Sequence, residues 1–271
     1  MKTSEPDFQG NIERFSGFAD IYDKYRPAPP TELGAVLTRL AQVNRPRLVV
    51  DLGSGTGLST RYWAEKAEQV IGIEPSGDMR RQALAQNQAQ NVAYQEGFSH
   101  ATGLPEQCAD IVTCAQSLHW MEPEGTFREV VRILRSGGVF AAFDYDWPPY
   151  TGAWQADAAY EVCMRKVEEL AKDIPDSNRV RRWEKSRHLQ RMRTSGRFRY
   201  ARELVLHHVD QGNAERLVGL LLSQGSVMTL LKNGISEEQC GINVFRQMAQ
   251  QFLGEPLRAW YWSSRVRLGV V

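Results

Sequence analysis

The chain has few cysteines, almost no net charge and no long apolar run, and each shortage removes a class of protein. Its four cysteines, Cys108, Cys114, Cys163 and Cys240, form no C-x-x-C pair. They stand among residues that read as strand or helix, so neither a disulfide framework nor a zinc site is indicated, and no metal is expected. Lysines and arginines number 33 against 32 acids, a formal net charge of +1, which gives no global attraction to nucleic acid or membrane. The opening MKTSEPDFQGNIERFSG lacks the apolar stretch of an export signal, and no later run approaches the length of a membrane span. A reduced, cytoplasmic protein is the expectation. Internal repeats and low-complexity tracts are missing too.

What is present is a regular alternation. RLVVDLG (Arg47 to Gly53), VIGIE, NVAYQEG, ADIVTCAQS and VFAAFDYD read as five strands. Helical patterns fall between them, in LSTRYWAEKAEQ, SGDMRRQALAQNQAQ and EGTFREVVRILRSGG, the last ending on the Gly137-Gly138 pair. Strand and helix in strict alternation imply parallel strands with right-handed crossovers. After Trp147, WPPYTGAW breaks regular structure and a helix is expected from about Gln155 to Lys172. RFRYARELVLHHV (Arg197 to Val209) and RAWYWSSRVRLGVV supply two further strands, with helices NAERLVGLLLSQGSVMTLLKNG and SEEQCGINVFRQMAQQFLG between them. The expected fold is α/β, a doubly wound, mostly parallel seven-stranded sheet with helical cap insertions after strands five and six. A chain of 271 residues accommodates this as one domain: an N-terminal lid 1–34, a core 35–150, helical caps 151–196 and 212–254, and last strands 197–211 and 257–271.

The turn after the first strand carries Gly53, Gly55 and Gly57 at alternate positions. Glycine permits positive φ and lets a ligand approach without meeting a Cβ. In a doubly wound sheet the carboxyl end of the first strand is where ligands bind. A dinucleotide fingerprint is G-x-G-x-x-G. Here the spacing is G-x-G-x-G, and Asp51 precedes it by two residues. That carboxylate repels a phosphate and suits an ammonium or sulfonium. Glu74, at the end of the second strand, is placed to accept hydrogen bonds from both hydroxyls of a ribose. Glu74 alone also fits NAD; the two acids with this glycine spacing fit a cationic nucleoside better.

At DLGSGTG the chain resembles the class I S-adenosylmethionine-dependent methyltransferases, over roughly residues 21–146. YDKYRPAPP before the motif and QSLHW after the fourth strand resemble small-molecule members. The resemblance implies S-adenosylmethionine as cofactor, with Gly53, Ser54, Gly55 and Gly57 along its methionine and ribose, Asp51 near its amino group and Glu74 on the ribose. Pro75 is counted with the cofactor residues, and Met79 falls near the adenine, although it also reads as a buried helix methionine. EGFSHATGLP offers no acid after Gly97, which leaves Ser99 and His100 for the adenine edge. Gln116 is counted with the cofactor residues, and Tyr22 and Arg26 form a lid or else an N-terminal helix docked on the sheet.

Methyl transfer needs in-line approach more than covalent help, and a general base only where the acceptor arrives with its proton. His119 is the candidate base, or else a pocket-floor histidine. Trp120, Tyr145, Trp147 and Tyr150 are candidates for the acceptor side. His207 and His208 are adjacent in a strand, so at most one points inward.

A rival reading rests on Arg179 to Arg202, where ten basic residues meet one acid among aromatics, a composition that suits RNA. A solvated helix, or a site for an anionic group on a small acceptor, explains it more simply. The expected partner is a small-molecule methyl acceptor, without nucleic acid or membrane, and a homodimer is left open. An RNA methyltransferase and a non-catalytic cofactor-binding subunit are the alternatives.

Overall fold

A computed structural model describes residues 9–13, 19–174 and 181–271. The chain divides into two compact units. The sheet unit comprises Pro27–Trp147, Arg182–His208 and Trp262–Val271, and the helical unit comprises Met1–Arg26, Pro148–Arg181 and Val209–Tyr261.

Seven strands run β1 (Leu48–Leu52), β2 (Gln69–Ile73), β3 (Val92–Gln95), β4 (Ala109–Ala115), β5 (Leu134–Tyr145), β6 (Tyr200–Gly212) and β7 (Arg258–Val270). Their order in the sheet is β3-β2-β1-β4-β5-β7-β6. The first five pair in parallel and β7 runs antiparallel to β5, which is the doubly wound arrangement expected. Strand order reverses between β1 and β4, so the crevice beyond their carboxyl ends is the site the topology offers a ligand.

Within the sheet unit, helices α3 (Leu33–Leu40), α4 (Leu58–Tyr62), α5 (Gly77–Gln86), α6 (Pro123–Ile133) and α8 (His188–Thr194) accompany the strands. The start of α6 is set locally. Glu122 accepts from the amides of Glu124 and Gly125, and Pro123 occupies the first position, where its missing N–H costs nothing. Its Phe127, Val130 and Ile133 are buried in one core with Val50, Val112, Phe140 and Met192, the spacing of one helix face.

Several expected boundaries move. The helix α6 stops at Ile133, short of the glycine pair, because Leu134 is already extended and pairs with Ala109. Gly137, at φ +74°, lies in the irregular start of β5 and donates to Val271 O. The helix after the glycine turn ends at Tyr62. Beyond it the chain tightens into i→i−3 bonds, Trp63 to Thr60, Ala64 to Arg61 and Lys66 to Trp63. That tightening buries Trp63 completely and offers the carbonyls of Ala64 and Ala67 to Asn91 Nδ2. Residues 182–196, expected with the helical insertions, belong to the sheet unit, where Met192 packs into the core.

The helical unit holds α1 (Gln9–Glu13), α2 (Ala19–Tyr25), α7 (Trp154–Ala171), α9 (Ala214–Leu222), α10 (Gly225–Lys232), α11 (Glu237–Cys240) and α12 (Ile242–Phe252). Residues 213–234, expected as one helix, break at Ser223, whose hydroxyl donates to Leu220 O and accepts from Arg26 Nε. The next pattern breaks at Gly241, which takes φ +79°. Among the described residues no helix is long and apolar enough to cross a membrane.

Candidate functional site

The glycine turn gives its three glycines different tasks. All take positive φ, +62° at Gly53, +55° at Gly55 and +85° at Gly57, a region that costs an L side chain roughly 1–2 kcal/mol. An added Cβ at Gly53 falls 2.7 Å from Met121 Cε and Ser117 Cβ, and one at Gly57 falls 2.2 Å from Tyr94 Oη. Both are closed in by the protein itself. At Gly55 an added Cβ meets nothing within 4 Å among the described residues, so this one glycine presents bare backbone to open space. Ser54 turns the other way, its Oγ buried against Gly72 of β2.

The two acids hold this turn. Asp51 is fully buried and accepts from Thr60 Oγ1 and Thr113 Oγ1, each at 2.8 Å. Burial pushes its carboxyl up to about 6, against the pull of those hydroxyls. The side chain thereby ties β1 to α4 and β4. Glu74 reaches back across the strand ends, accepting from Gly55 N at 3.0 Å and from Ser76 N at 2.8 Å. Burial raises its carboxyl too, with the two backbone amides opposing. Gly53 N and Ser54 N both donate to Ile73 O, so the turn is stitched to the end of β2.

Around the turn, Met79 is buried one helical turn into α5, whose first amides are capped by Ser76 Oγ accepting from Met79 N. Pro75 is half-buried beside Glu74. The hydroxyl of Ser99 lies 2.8 Å from Thr126 Oγ1, and the ring of His100 stacks on Phe98. Gln116 follows β4 with φ +53°, an uncommon state for a residue with a Cβ and one that clusters at functional sites. Its N donates to Phe143 O, which fixes the departure from β4.

The carboxyl ends of β4 and β5 carry a buried charge network. Asp144 Oδ2 accepts from Arg267 Nη1 at 2.7 Å, and Oδ1 meets Lys185 Nζ at 2.8 Å. Arg267 Nε donates to Glu203 Oε2 at 2.8 Å, and Lys185 Nζ donates to Gln116 Oε1 at 2.9 Å. His119, buried in the single tight turn Leu118–Trp120, has Nδ1 3.7 Å from Asp144 Oδ1. Its ring tilts against Trp120 at 4.5 Å, and its carbonyl accepts from Trp183 N. His188 is fully buried nearby, and burial pushes it down to about 4, so it is neutral there. Beside this network Tyr145, Trp147, Trp262 and His208 form an aromatic group, with Trp147 and Trp262 edge to face at 5.2 Å and His208 stacked on Trp262. His207 is exposed and bonds Ser263.

Residues 50–142 match a family model described as a methyltransferase domain. A Saccharomyces cerevisiae protein, CRG1, named as an S-adenosylmethionine-dependent methyltransferase, is 29% identical over 163 residues, 58% of this chain and 56% of its own length. Rv3342 of Mycobacterium tuberculosis, named an uncharacterized methyltransferase, is 33% identical over 128 residues, 46% of this chain and 49% of its own. The chain therefore spans about half the length of the curated relatives it matches. Among solved structures, a protein of Anaeromyxobacter dehalogenans assigned as a type II methyltransferase shares the fold. It has a TM-score of 0.66 at 24% identity, over 91% of this chain and 98% of that one. Residues 50–142 are thus similar to a methyltransferase domain, and the fold is one that the Anaeromyxobacter protein shares.

The glycine turn, Asp51, Glu74, Pro75, Met79, Ser99, His100, Gln116, His119, Trp120, Tyr145 and Trp147 all belong to the sheet unit. Tyr22, Arg26 and Tyr150 belong to the helical unit. There Arg26 lies over the Tyr22 ring at 4.6 Å and donates to Ser223 Oγ, Ser223 O and Gln224 Oε1. Tyr150 pairs its backbone and its ring with Tyr261. Sequence reasoning did not single out Lys185, His188, Glu203 or Arg267. No local pattern marks them: Lys185 sat inside the basic stretch read as a surface, and Arg267 and Glu203 looked like ordinary strand charges.

Proposed function

We propose that this chain binds S-adenosylmethionine on the glycine turn and transfers its methyl group to an O or N atom of a small metabolite. The observation that carries this is Gly55. It is the turn's open face, and its own amide is held by Glu74, whose carboxylate has further lone pairs for a ribose. Those residues fit the cofactor: a backbone cradle that a Cβ would fill, beside an acid and without the G-x-G-x-x-G spacing of a dinucleotide site. When bound, S-adenosylmethionine supplies a methyl group made electrophilic by the sulfonium.

The chain's own contribution is placement. Holding acceptor and methyl at attack distance is worth roughly 7–11 kcal/mol in favourable intramolecular systems. Asp51 acts through the turn's shape, since both its oxygens are engaged with Thr60 and Thr113. His119, beside Trp120 at the end of β4, receives the acceptor's proton. The basic stretch supports a small acceptor over RNA, because many of its cations are occupied: Lys185 with Asp144, Arg187 with Glu184, Arg191 with Glu184 O and Arg197 with Glu124. Arg179 lies outside the described residues.

Isothermal titration with S-adenosylmethionine, NAD and NADP tests the proposal. Binding of the first alone is expected, followed by transfer of labelled methyl to a small acceptor. Binding of a nicotinamide nucleotide in its place overturns it.

A further inference from the structure

A turn that holds a phosphate does so by leaving backbone amides free and aiming them at the anion. The glycine turn gives its amides to the chain itself. Gly53 N and Ser54 N both donate to Ile73 O, and Gly57 N donates to Ser54 O at 2.9 Å. Gly55 N, on the open face, donates to Glu74 Oε2 at 3.0 Å, while Glu74 Oε1 accepts from Ser76 N at 2.8 Å. Asp51 acts alike one step further on. Its Oδ2 accepts from Thr60 Oγ1 at 2.8 Å, in the first turn of α4, and a dinucleotide site sets its pyrophosphate at the start of that helix. Two buried carboxylates of the chain thus answer the turn and the helix start. The cations nearby are engaged with the chain as well: Arg61 Nη1 donates to Thr56 O, and Arg80 joins Glu74 O to Glu96.

We propose that Glu74 is a specificity-determining residue: by holding a negative charge on the amide of the turn's open face, it admits nucleosides whose 5′ substituent is neutral or cationic and turns away 5′-phosphates. This rests on the reading of the site given above, which sets the ribose on Glu74. Because Glu74 is bonded to Gly55, the 5′ carbon of that ribose leaves toward the turn. The acid then has two effects on one ligand. Each oxygen keeps a lone pair for a ribose hydroxyl, and its charge, buried and little screened, opposes a second anion. A 5′-phosphate meets amides already bonded and a like charge at the backbone it needs. Freeing Gly55 N for the phosphate strips a buried carboxylate of a hydrogen bond, which is costly. Asp51 adds to the field but is bonded to Thr60 and Thr113, away from the open face.

The test needs no methyl acceptor. Adenosine and adenosine 5′-monophosphate differ only in the phosphate, so the ratio of their affinities separates the charge effect from the ribose bonds they share. Calorimetric titration of the full chain is run at pH 8, where Asp51, raised to about 6, is ionised. Adenosine is expected to bind about ten-fold or more tighter than the monophosphate. Glu74→Gln keeps the shape and an acceptor oxygen but loses the charge. Both probes are expected to weaken in it, and their ratio to fall by about three-fold or more. A monophosphate bound by the parent as tightly as adenosine overturns the proposal, and so does a parent that binds no adenosine. An unchanged ratio in Glu74→Gln overturns it too; the parent comparison stands whether or not that variant folds. S-adenosylmethionine titrated on the same samples separates the two readings. Its binding with the two probes level removes the charge filter and keeps the methyl-donor reading. Adenosine preferred to the monophosphate with S-adenosylmethionine unbound keeps the filter and removes methyl transfer.

Discussion

Gly53 and Gly55 are two residues apart, share positive φ and fail for different reasons when changed. Gly53→Ala drives a methyl group to 2.7 Å from Met121 and Ser117, so overpacking adds to backbone strain and a loss of about 2–4 kcal/mol in stability is expected. Gly55→Ala meets no protein atom within 4 Å among the described residues. It is expected to cost only about 1–2 kcal/mol in stability but to weaken S-adenosylmethionine binding by ten-fold or more. Chemical denaturation and titration calorimetry on both variants check this; equal affinity loss at the two positions contradicts the assignment of Gly55 as the open face. Asp51 sets a pH dependence whose sign follows from burial. Its carboxyl titrates near 6 in the folded chain against 3.8 ordinarily, so the native state holds the proton more tightly. The resulting stabilisation is full below pH 4 and is lost as pH rises through 6, about 3 kcal/mol at the conversion of roughly 1.4 kcal/mol per unit. Asn at this position pairs with both threonine hydroxyls without titrating. Unfolding of Asp51→Asn between pH 4 and 6.5 is expected to lack that decline, and identical slopes in parent and variant refute it.

Some elements in this chain are ended by contacts rather than by composition. In the helical unit, α2 approaches α9 closely enough that an added Cβ on Gly219 lies 2.4 Å from the Tyr25 ring. Arg26 follows at once, bonded to Ser223 at the end of α9 and to Gln224 beyond it. Gly219→Val is therefore expected to lift α2 and expose Tyr25 and Lys24 to trypsin and chymotrypsin. Cleavage at Lys24 or Tyr25 at the parent's rate shows that this close approach does not hold α2. Ser223 explains why one apolar pattern yields two helices: its hydroxyl bonds Leu220 O and takes Arg26 Nε, side-chain bonding that competes with helix continuation. The sheet unit shows the reverse economy, where Leu134 passes from helix to strand without a loop because Ala109 of β4 is there to pair with it.

At the scale of the molecule, the two compact units make a single unfolding midpoint an incomplete description. The ligand site proposed above lies at β1, β2, β4 and their following turns, so on that proposal S-adenosylmethionine at a hundred times its Kd is expected to stabilise the sheet unit by about 2.7 kcal/mol. Differential scanning calorimetry should show its transition move up with ligand, and an unmoved transition in the presence of demonstrated binding places the ligand elsewhere. With a net charge of +1 and Lys185, Arg187 and Arg197 of the basic stretch each paired with an acid, RNA binding is expected to be weak. A steep fall of RNA affinity with salt, in proportion to phosphates contacted, restores the RNA reading.

The sequence by itself determined the alternation of strands and helices, the seven-stranded sheet and the place and spacing of the glycine turn, because these follow from periods of two and 3.6 and from residues whose backbone freedom is intrinsic. It also placed Asp51, Glu74 and His119 at strand ends, where the topology needs them. Only the tertiary structure decided what those side chains do. Asp51 spends both oxygens on Thr60 and Thr113, one of them 62 positions away. Asp144 is answered by Arg267, 123 positions along the chain. Which glycine faces open space, which helix breaks at a serine and which lysine and arginine meet Asp144 are set by residues remote in sequence that close packing forces together. No local pattern encodes such a pairing, since the partners meet only once the sheet has formed.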